Sequence, residues 1–281
     1  MRIITDSTAD LSAESYEKHD IGVVPLTLHL GNRTWRDFVD IDPDAYYPLL
    51  RESRDFPKTS QPSPQAFIDA FLPSVEKGEP ILSIHLSSKL SGTCQSAFLA
   101  KSHFPGAHIE VIDSLQVSGG LGIIVLLCAE KANTGAPFEE VAGFARGLTS
   151  RLQTYMSVDS LDYLHRGGRI SMAQTFVGGL MKIKPLLKMI EGEIRPIEKI
   201  RTSGKLLNRF VEIVEKAARD EGRLRLSVAE TDNSDIVAGL LERLLRIPGV
   251  SLVHRCKIGG VTTSHGGPGS LLVTFVGSDN V

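Results

Sequence analysis

The chain has 281 residues, 42% of them hydrophobic and 23% charged, with a formal net charge of -2. These values fit a globular protein of one large or two ordinary domains, and they exclude a dedicated nucleic-acid binder, whose affinity comes from strong positive charge. The three cysteines, Cys94, Cys128 and Cys256, are too scattered for a disulfide framework or a zinc site and favour a reducing cytoplasmic compartment.

Residues 2–5 read as a strand ending in Asp6-Ser7-Thr8, and the start turns polar too soon for a signal peptide. A helix is expected over 11–19 and one strand over 23–30, with Pro25 near its start where a missing donor is tolerated. After a long polar stretch, Ser63 caps a helix that Pro64 opens. The apolar run 81–86 is a buried strand, the turn 87–93 follows it, and Cys94 begins a helix. Residues 109–112 form a strand ending in Asp113-Ser114. The apolar run 119–129 is a buried helix, too short for a membrane span of about 20 residues. This alternation predicts a mostly parallel sheet with flanking helices.

The second half has a different texture. Residues 156–168 and 170–188 read as mainly helical, and two strands are expected within 186–200 around Glu191-Gly192-Glu193. Leu206, Phe210, Ile213, Val214 and Ala217 keep the spacing of an amphipathic helix. A strand at 223–229, a helix from Ser234 to Arg246 and strands at 251–257 and 270–276 complete a mixed sheet with helices. The expected fold class is α/β in two domains, residues 1–153 and 154–281.

The turn Ser87-Ser88-Lys89-Leu90-Ser91-Gly92-Thr93 brings hydroxyls and unpaired helix N–H groups to one point, a setting suited to an anion. Asp6-Ser7-Thr8, Lys58–Ser63 and Asp113-Ser114 are expected at the same carboxyl edge of the sheet, where they would face a common crevice. The loop His265-Gly266-Gly267-Pro268-Gly269 precedes the last strand. Each group also has an ordinary structural reading: Ser and Thr as helix caps, Asp as a turn organiser, glycine as a site of positive φ. No G-x-S-x-G elbow, phosphate-binding loop, dinucleotide fingerprint or metal-ligand spacing is present. Residues 166–209 hold ten basic residues against three acidic ones, a patch that could steer an acidic partner protein or a phospholipid surface.

In chain order, Ile3–Thr8, Thr59-Ser60-Gln61-Pro62-Ser63, Ser87–Ala97, Leu161–Ser171, Lys184-Pro185, Arg201 and His265–Gly269 resemble the DegV family of bacterial fatty-acid-binding proteins. The resemblance implies two α/β domains with a long-chain fatty acid between them, its carboxylate at the junction and its tail in an apolar tunnel. Thr59 and Ser91 would hydrogen-bond the carboxylate, with Ser60, Gly92, Thr93 and His265 nearby. The implied protein is non-catalytic and uses no cofactor. It presents its lipid to a separate kinase that makes the acyl phosphate, with Arg201 in docking and transient contact with a membrane surface. Residues 176–181 and 258–261 are apolar candidates for the tunnel. Two positions depart from the family's pattern: Cys94, where an aromatic residue is common, and Gly266, where threonine is frequent. The competing readings are an acyl or phosphoryl transferase with Ser91 as nucleophile and His265 as base, and a carrier of another amphipathic carboxylate.

Overall fold

The computed structural model describes residues 1–170, 183–232 and 234–278. The first half runs β1 (Arg2–Asp6), α1 (Ala13–Lys18), β2 (Ile21–Val24), β3 (Thr27–Leu30), β4 (Arg33–Arg36), α2 (Pro43–Glu52), β5 (Lys58–Ser60), α3 (Pro64–Glu76), β6 (Ile81–His85), α4 (Thr93–Ser102), β7 (Ile109–Asp113), α5 (Gly119–Asn133) and α6 (Phe138–Arg151). The second runs β8 (Gln153–Ser157), α7 (Asp162–Arg166), β9 (Lys184–Ile190), β10 (Glu193–Ile200), α8 (Ser203–Glu221), β11 (Leu224–Glu230), α9 (Ser234–Leu245), β12 (Val250–Lys257), α10 (Gly260–Gly266) and β13 (Leu271–Gly277).

Three sheets result. A four-stranded sheet, ordered β2-β1-β6-β7, is parallel throughout. Its strand β6 is buried at every position, as expected of a continuous apolar run in a sheet covered on both faces. A six-stranded mixed sheet, ordered β10-β9-β8-β13-β11-β12, is built by the second half. The small antiparallel sheet β4-β3-β5 lies beside α2 and α10.

Local chemistry sets the element ends. Ser63 accepts the Ala66 N–H at the start of α3, with Pro64 next in the chain, and Thr202 accepts the Lys205 N–H at the start of α8. Helix α8 buries Leu206, Phe210, Val214 and Ala217 as one stripe. Helix α5 is buried from Gly119 to Ala129 because it is clamped between β1 and β6 on one side and β11, β12 and β13 on the other. A Cβ at Gly122 would lie 2.5 Å from the Ala9 carbonyl oxygen, so only glycine permits this approach. The largest core cluster therefore joins both halves, from Ile3 and Leu121 to Met156 and Leu272.

Several elements differ from expectation. The strand expected over 23–30 is two strands in different sheets, β2 and β3, broken at Pro25-Leu26. The region 156–168 is not mainly helical: it holds the end of β8, a connection and the short α7. Residues 184–188 are strand β9, paired on both sides, rather than helix. Helix α2 and strand β4 occupy the long polar stretch before Ser63, where no element is expected from the sequence. Residues 171–182 of the expected 170–188 helix, including 176–181, lie outside the described residues. Among the described residues, no helix is long and apolar enough to cross a membrane.

Candidate carboxylate-binding site

A crevice with about 680 Å³ of empty space, its mouth included, lies between the carboxyl edge of the parallel sheet and one face of the mixed sheet. Leu86, Leu90 and Val117 come from the edge of the first sheet, and Met156, Ile194 and Leu272 from the second. The pairing register explains the second wall: Met156 sits opposite Leu272 on one side and Leu187 on the other, so their side chains share a face. Ile194 sits opposite Met189, two residues beyond Leu187, and joins that face.

Polar groups enter this apolar crevice from four segments: Thr8 after β1, Thr59 on β5, Ser91 before α4, and Arg169 after α7. Helix α10 adds His265 and Thr262, and Ser270 lies just beyond it. Thr59 Oγ1 and His265 Nε2 are 2.8 Å apart. Burial, with the Arg169 charge nearby, pushes the His265 imidazole down to about 4, so it is neutral near pH 7. Its Nδ1 is buried with no hydrogen-bond partner, which favours the tautomer protonated at Nε2. In that state Nε2–H donates to Thr59, and the threonine proton is free to point at an anion.

Ser91 sits in a braced turn. Its Oγ lies 2.9 Å from Thr93 Oγ1 and accepts the Thr93 N–H at 3.3 Å. Asp113 accepts the Ser88 and Leu115 N–H groups, at 3.1 and 3.0 Å, and so organises the turn rather than facing the crevice. Asp6 has the same kind of role: it accepts from Thr8 N and Oγ1 at 3.0 and 2.6 Å and from Leu86 N at 3.0 Å. Arg169 donates from Nε to the Leu90 carbonyl at 3.1 Å and from its guanidinium to Gly167, which fixes its charge beside the Ser91 turn.

Thr59, Ser91 and His265 thus line one crevice, together with Val261 from the 258–261 segment. Ser60 does not join them. It is the next residue on β5, so it points to the opposite face, where its hydroxyl meets His29 Nε2 at 2.9 Å. Gly92 and Thr93 border Ser91 without lining the crevice: Thr93 is buried, and a Cβ on Gly92 would collide with the Gln61 side chain. Cys94 also stands apart, buried among Ile4, Val24 and Phe67. Gly266 does line the crevice, and a Cβ there would fall 2.7 Å from Ser270 Oγ.

Thr8 lines the crevice as part of the Asp6-Ser7-Thr8 group expected at this edge, whereas Arg169 and Thr262 are not among the expected site residues. For Arg169 a signal exists, a cation directly after Gly167-Gly168 that falls both in the basic stretch and in the Leu161–Ser171 segment of the resemblance, neither of which assigns it a place at the ligand. Much of that stretch is neutralised in the fold. Arg166 pairs with Asp162, Lys184 with Asp159, Arg195 with Glu191 and Glu193, and Arg209 with Glu198 and Glu212. Arg201 is exposed on a surface groove shared with Lys205, away from the crevice.

The arrangement suits holding an anion more than attacking a substrate. A serine nucleophile needs a base within hydrogen-bond reach. Here His265 is engaged with Thr59, and the Ser91 hydroxyl with Thr93. Among the described residues, no group of His, Cys, Asp and Glu is placed to hold a metal ion.

The profile of the family described as "uncharacterised protein, DegV family" matches residues 1–277. A DegV domain-containing protein of Streptomyces coelicolor is 37% identical over 272 residues, covering 96% of this chain and 95% of its own length. Among solved structures, a Thermus thermophilus DegV family protein described in terms of fatty acid binding superposes with a TM-score of 0.92 at 35% identity, covering 99% of this chain and 100% of that one. A stearic-acid-binding protein of Eubacterium ventriosum gives 0.91 at 30% identity, with 98% of each chain covered. The Bacillus subtilis DegV protein, described as fatty acid binding, gives 0.89 at 31% identity, with 99% of each covered. On these matches, which run nearly end to end, the chain belongs to the DegV family.

Proposed function

We propose that the protein binds a long-chain fatty acid in this crevice and presents it to a separate kinase that forms the acyl phosphate. The observation that carries the binding is the division of one crevice into a hydroxyl- and cation-bearing part, with Thr59, Ser91 and Arg169, and an apolar remainder. A carboxylate accepts several charge-assisted hydrogen bonds at once, and Thr59, Ser91 and the Arg169 guanidinium supply donors of that kind. Each methylene buried along Leu86, Val117 and Met156 adds about 0.8 kcal/mol, so the tail supplies most of the affinity and the head group the orientation. Neighbours at 30% identity or more that are described as fatty acid binding support the same ligand class. The two-domain division at 153/154 belongs to this reading, with the first domain giving Thr59, Ser91 and part of the apolar lining and the second giving Arg169, His265 and the rest of that lining.

Extraction and mass spectrometry of the purified protein should recover a long-chain fatty acid. Protein that carries none and fails to take up added stearate or oleate would overturn the reading. For the kinase step, Arg201 is the docking residue: it is exposed, and a charge reversal there leaves the crevice untouched. Arg201→Glu should cut acyl-phosphate formation by the kinase about tenfold or more while fatty-acid affinity stays within twofold of the original. Equal loss of both would place Arg201 in folding instead.

A further inference from the structure

The turn that carries Ser91 begins with a second serine that does not reach the crevice. Ser87 is fully buried. Its hydroxyl donates to the Gly192 carbonyl at 2.7 Å and accepts the Lys89 N–H at 3.2 Å. Its backbone N–H donates to the Gln116 carbonyl at 2.8 Å, and its own carbonyl accepts the N–H groups of Leu90 and Ser91 at 2.9 and 3.2 Å. One residue therefore ties the exit of β6, the loop before α5, the Ser91 turn and a distant part of the chain.

That distant part is the tip of the β9–β10 hairpin. Glu191 and Gly192 both have positive φ, 52° and 82°, as a tight two-residue hairpin turn demands. A Cβ at Gly192 would lie 2.5 Å from Ser87 Oγ and 3.1 Å from Leu115 Cδ2, so the tip rests directly on the turn. Arg195 pairs with Glu191 and Glu193 across the tip and stiffens it. Two residues past the tip, Ile194 enters the apolar wall of the crevice.

We infer that Ser87 is a positioning residue for ligand retention: its hydrogen bond to Gly192 holds the β9–β10 hairpin, and with it Ile194, against the turn that presents Ser91. Without that bond the hairpin tip separates from the turn more readily, and the crevice opens along the seam between Leu90 and Ile194. The inference rests on the crevice being the fatty-acid site. It assigns to Ser87 a role exerted without contact with the ligand.

The test uses the full chain loaded with cis-parinaric acid, a long-chain fatty acid that fluoresces when bound, and follows its release into excess oleate. Ser87→Ala should release the probe about three- to tenfold faster, the loss expected of one net hydrogen bond. Gly192→Ala disrupts the same contact from the other side and should speed release similarly. The double variant should be little worse than either single one, because both changes break the same link. Thr5→Val serves as the control: it removes a buried hydroxyl whose bond, to the Ile84 carbonyl at 2.8 Å, lies within the parallel sheet and does not involve the hairpin, and it should lower stability without altering release. Release from Ser87→Ala within twofold of the original protein, or acceleration by Thr5→Val to the same degree, would overturn the inference. Should Ser87→Ala fail to fold, unchanged release from Gly192→Ala would overturn it alone. Failure of the unaltered protein to bind the probe would instead count against the fatty-acid reading.

Discussion

The two sides of the crevice are built by opposite means. Beside the parallel sheet, Thr8 and Ser91 sit on loops at the carboxyl ends of strands, fixed by short-range hydrogen bonds such as Asp6 to Thr8 and Ser91 to Thr93, and Thr59 on the short edge strand β5 is held by His265. On the mixed sheet, the apolar groups sit within strands, and only long-range pairing puts Met156, Leu272 and Ile194 on one face. The first kind of wall can present donors without a packed core behind each one. The second is itself part of the main core. Substitutions on the two sides should therefore separate affinity from stability.

The largest effect on affinity is expected at the polar side. Thr59→Ala combined with Ser91→Ala removes two donors to a charged group and should weaken fatty-acid binding by about 3 kcal/mol, roughly a hundredfold. Both residues are only partly buried, so the unfolding free energy should move by less than about 1 kcal/mol. Calorimetric titration beside urea unfolding would measure both. Loss of stability equal to loss of affinity would erase the distinction between the walls. A smaller effect on affinity, with a larger one on folding, is expected from Met156→Ala. The chain should lose about 2–3 kcal/mol of stability through the cavity created, while affinity for stearic acid drops about three- to tenfold. An affinity loss exceeding that of the Thr59/Ser91 pair would mean that the wall also orients the carboxylate.

The same contrast governs what can be read from the sequence. β1, β6 and β7 are continuous apolar runs with polar punctuation, so the parallel sheet and its edge loops are legible, including the turn around Ser91. Thr59 is legible as a residue type but not as a strand residue, because β5 has only three residues and shows no period of its own. Its pairing with Leu28 is what turns Thr59 toward the crevice and Ser60 away. The apolar wall is far less legible. In β9, Leu186, Leu187 and Met189 keep a spacing that a helix would also satisfy, and only pairing with β8 and β10 decides for a strand. Val261, in the 258–261 stretch named as a candidate for the tunnel, lines the crevice. Ile258, from the same stretch, instead packs in the main core and offers its carbonyl to Tyr47.

The smallest predicted effect concerns the junction between the two walls, where α10 brings His265 to Thr59. Asp37 holds the start of that helix: its Oδ1 accepts the Gly260 N–H at 3.0 Å. Burial pushes the Asp37 carboxyl up to about 7, with the Asp6 charge adding to the shift, and it pushes the imidazoles of His254 and His265 down to about 4. Between about pH 4 and 7 the folded protein holds a proton on Asp37 that the unfolded chain has released, so this group makes stability fall as pH rises. The histidines act in the opposite sense from about pH 6.5 down to 4: the unfolded chain takes up protons that the folded one refuses, and stability falls as pH falls. Asp37→Asn keeps an oxygen acceptor for Gly260 and removes the first contribution only. Urea unfolding at pH 5, 6 and 7 should therefore show stability rising more steeply with pH in the variant, by about 1 kcal/mol per pH unit. An unchanged slope would show that Asp37 is already ionised at pH 5, and the pH response of the junction would then rest on the histidines.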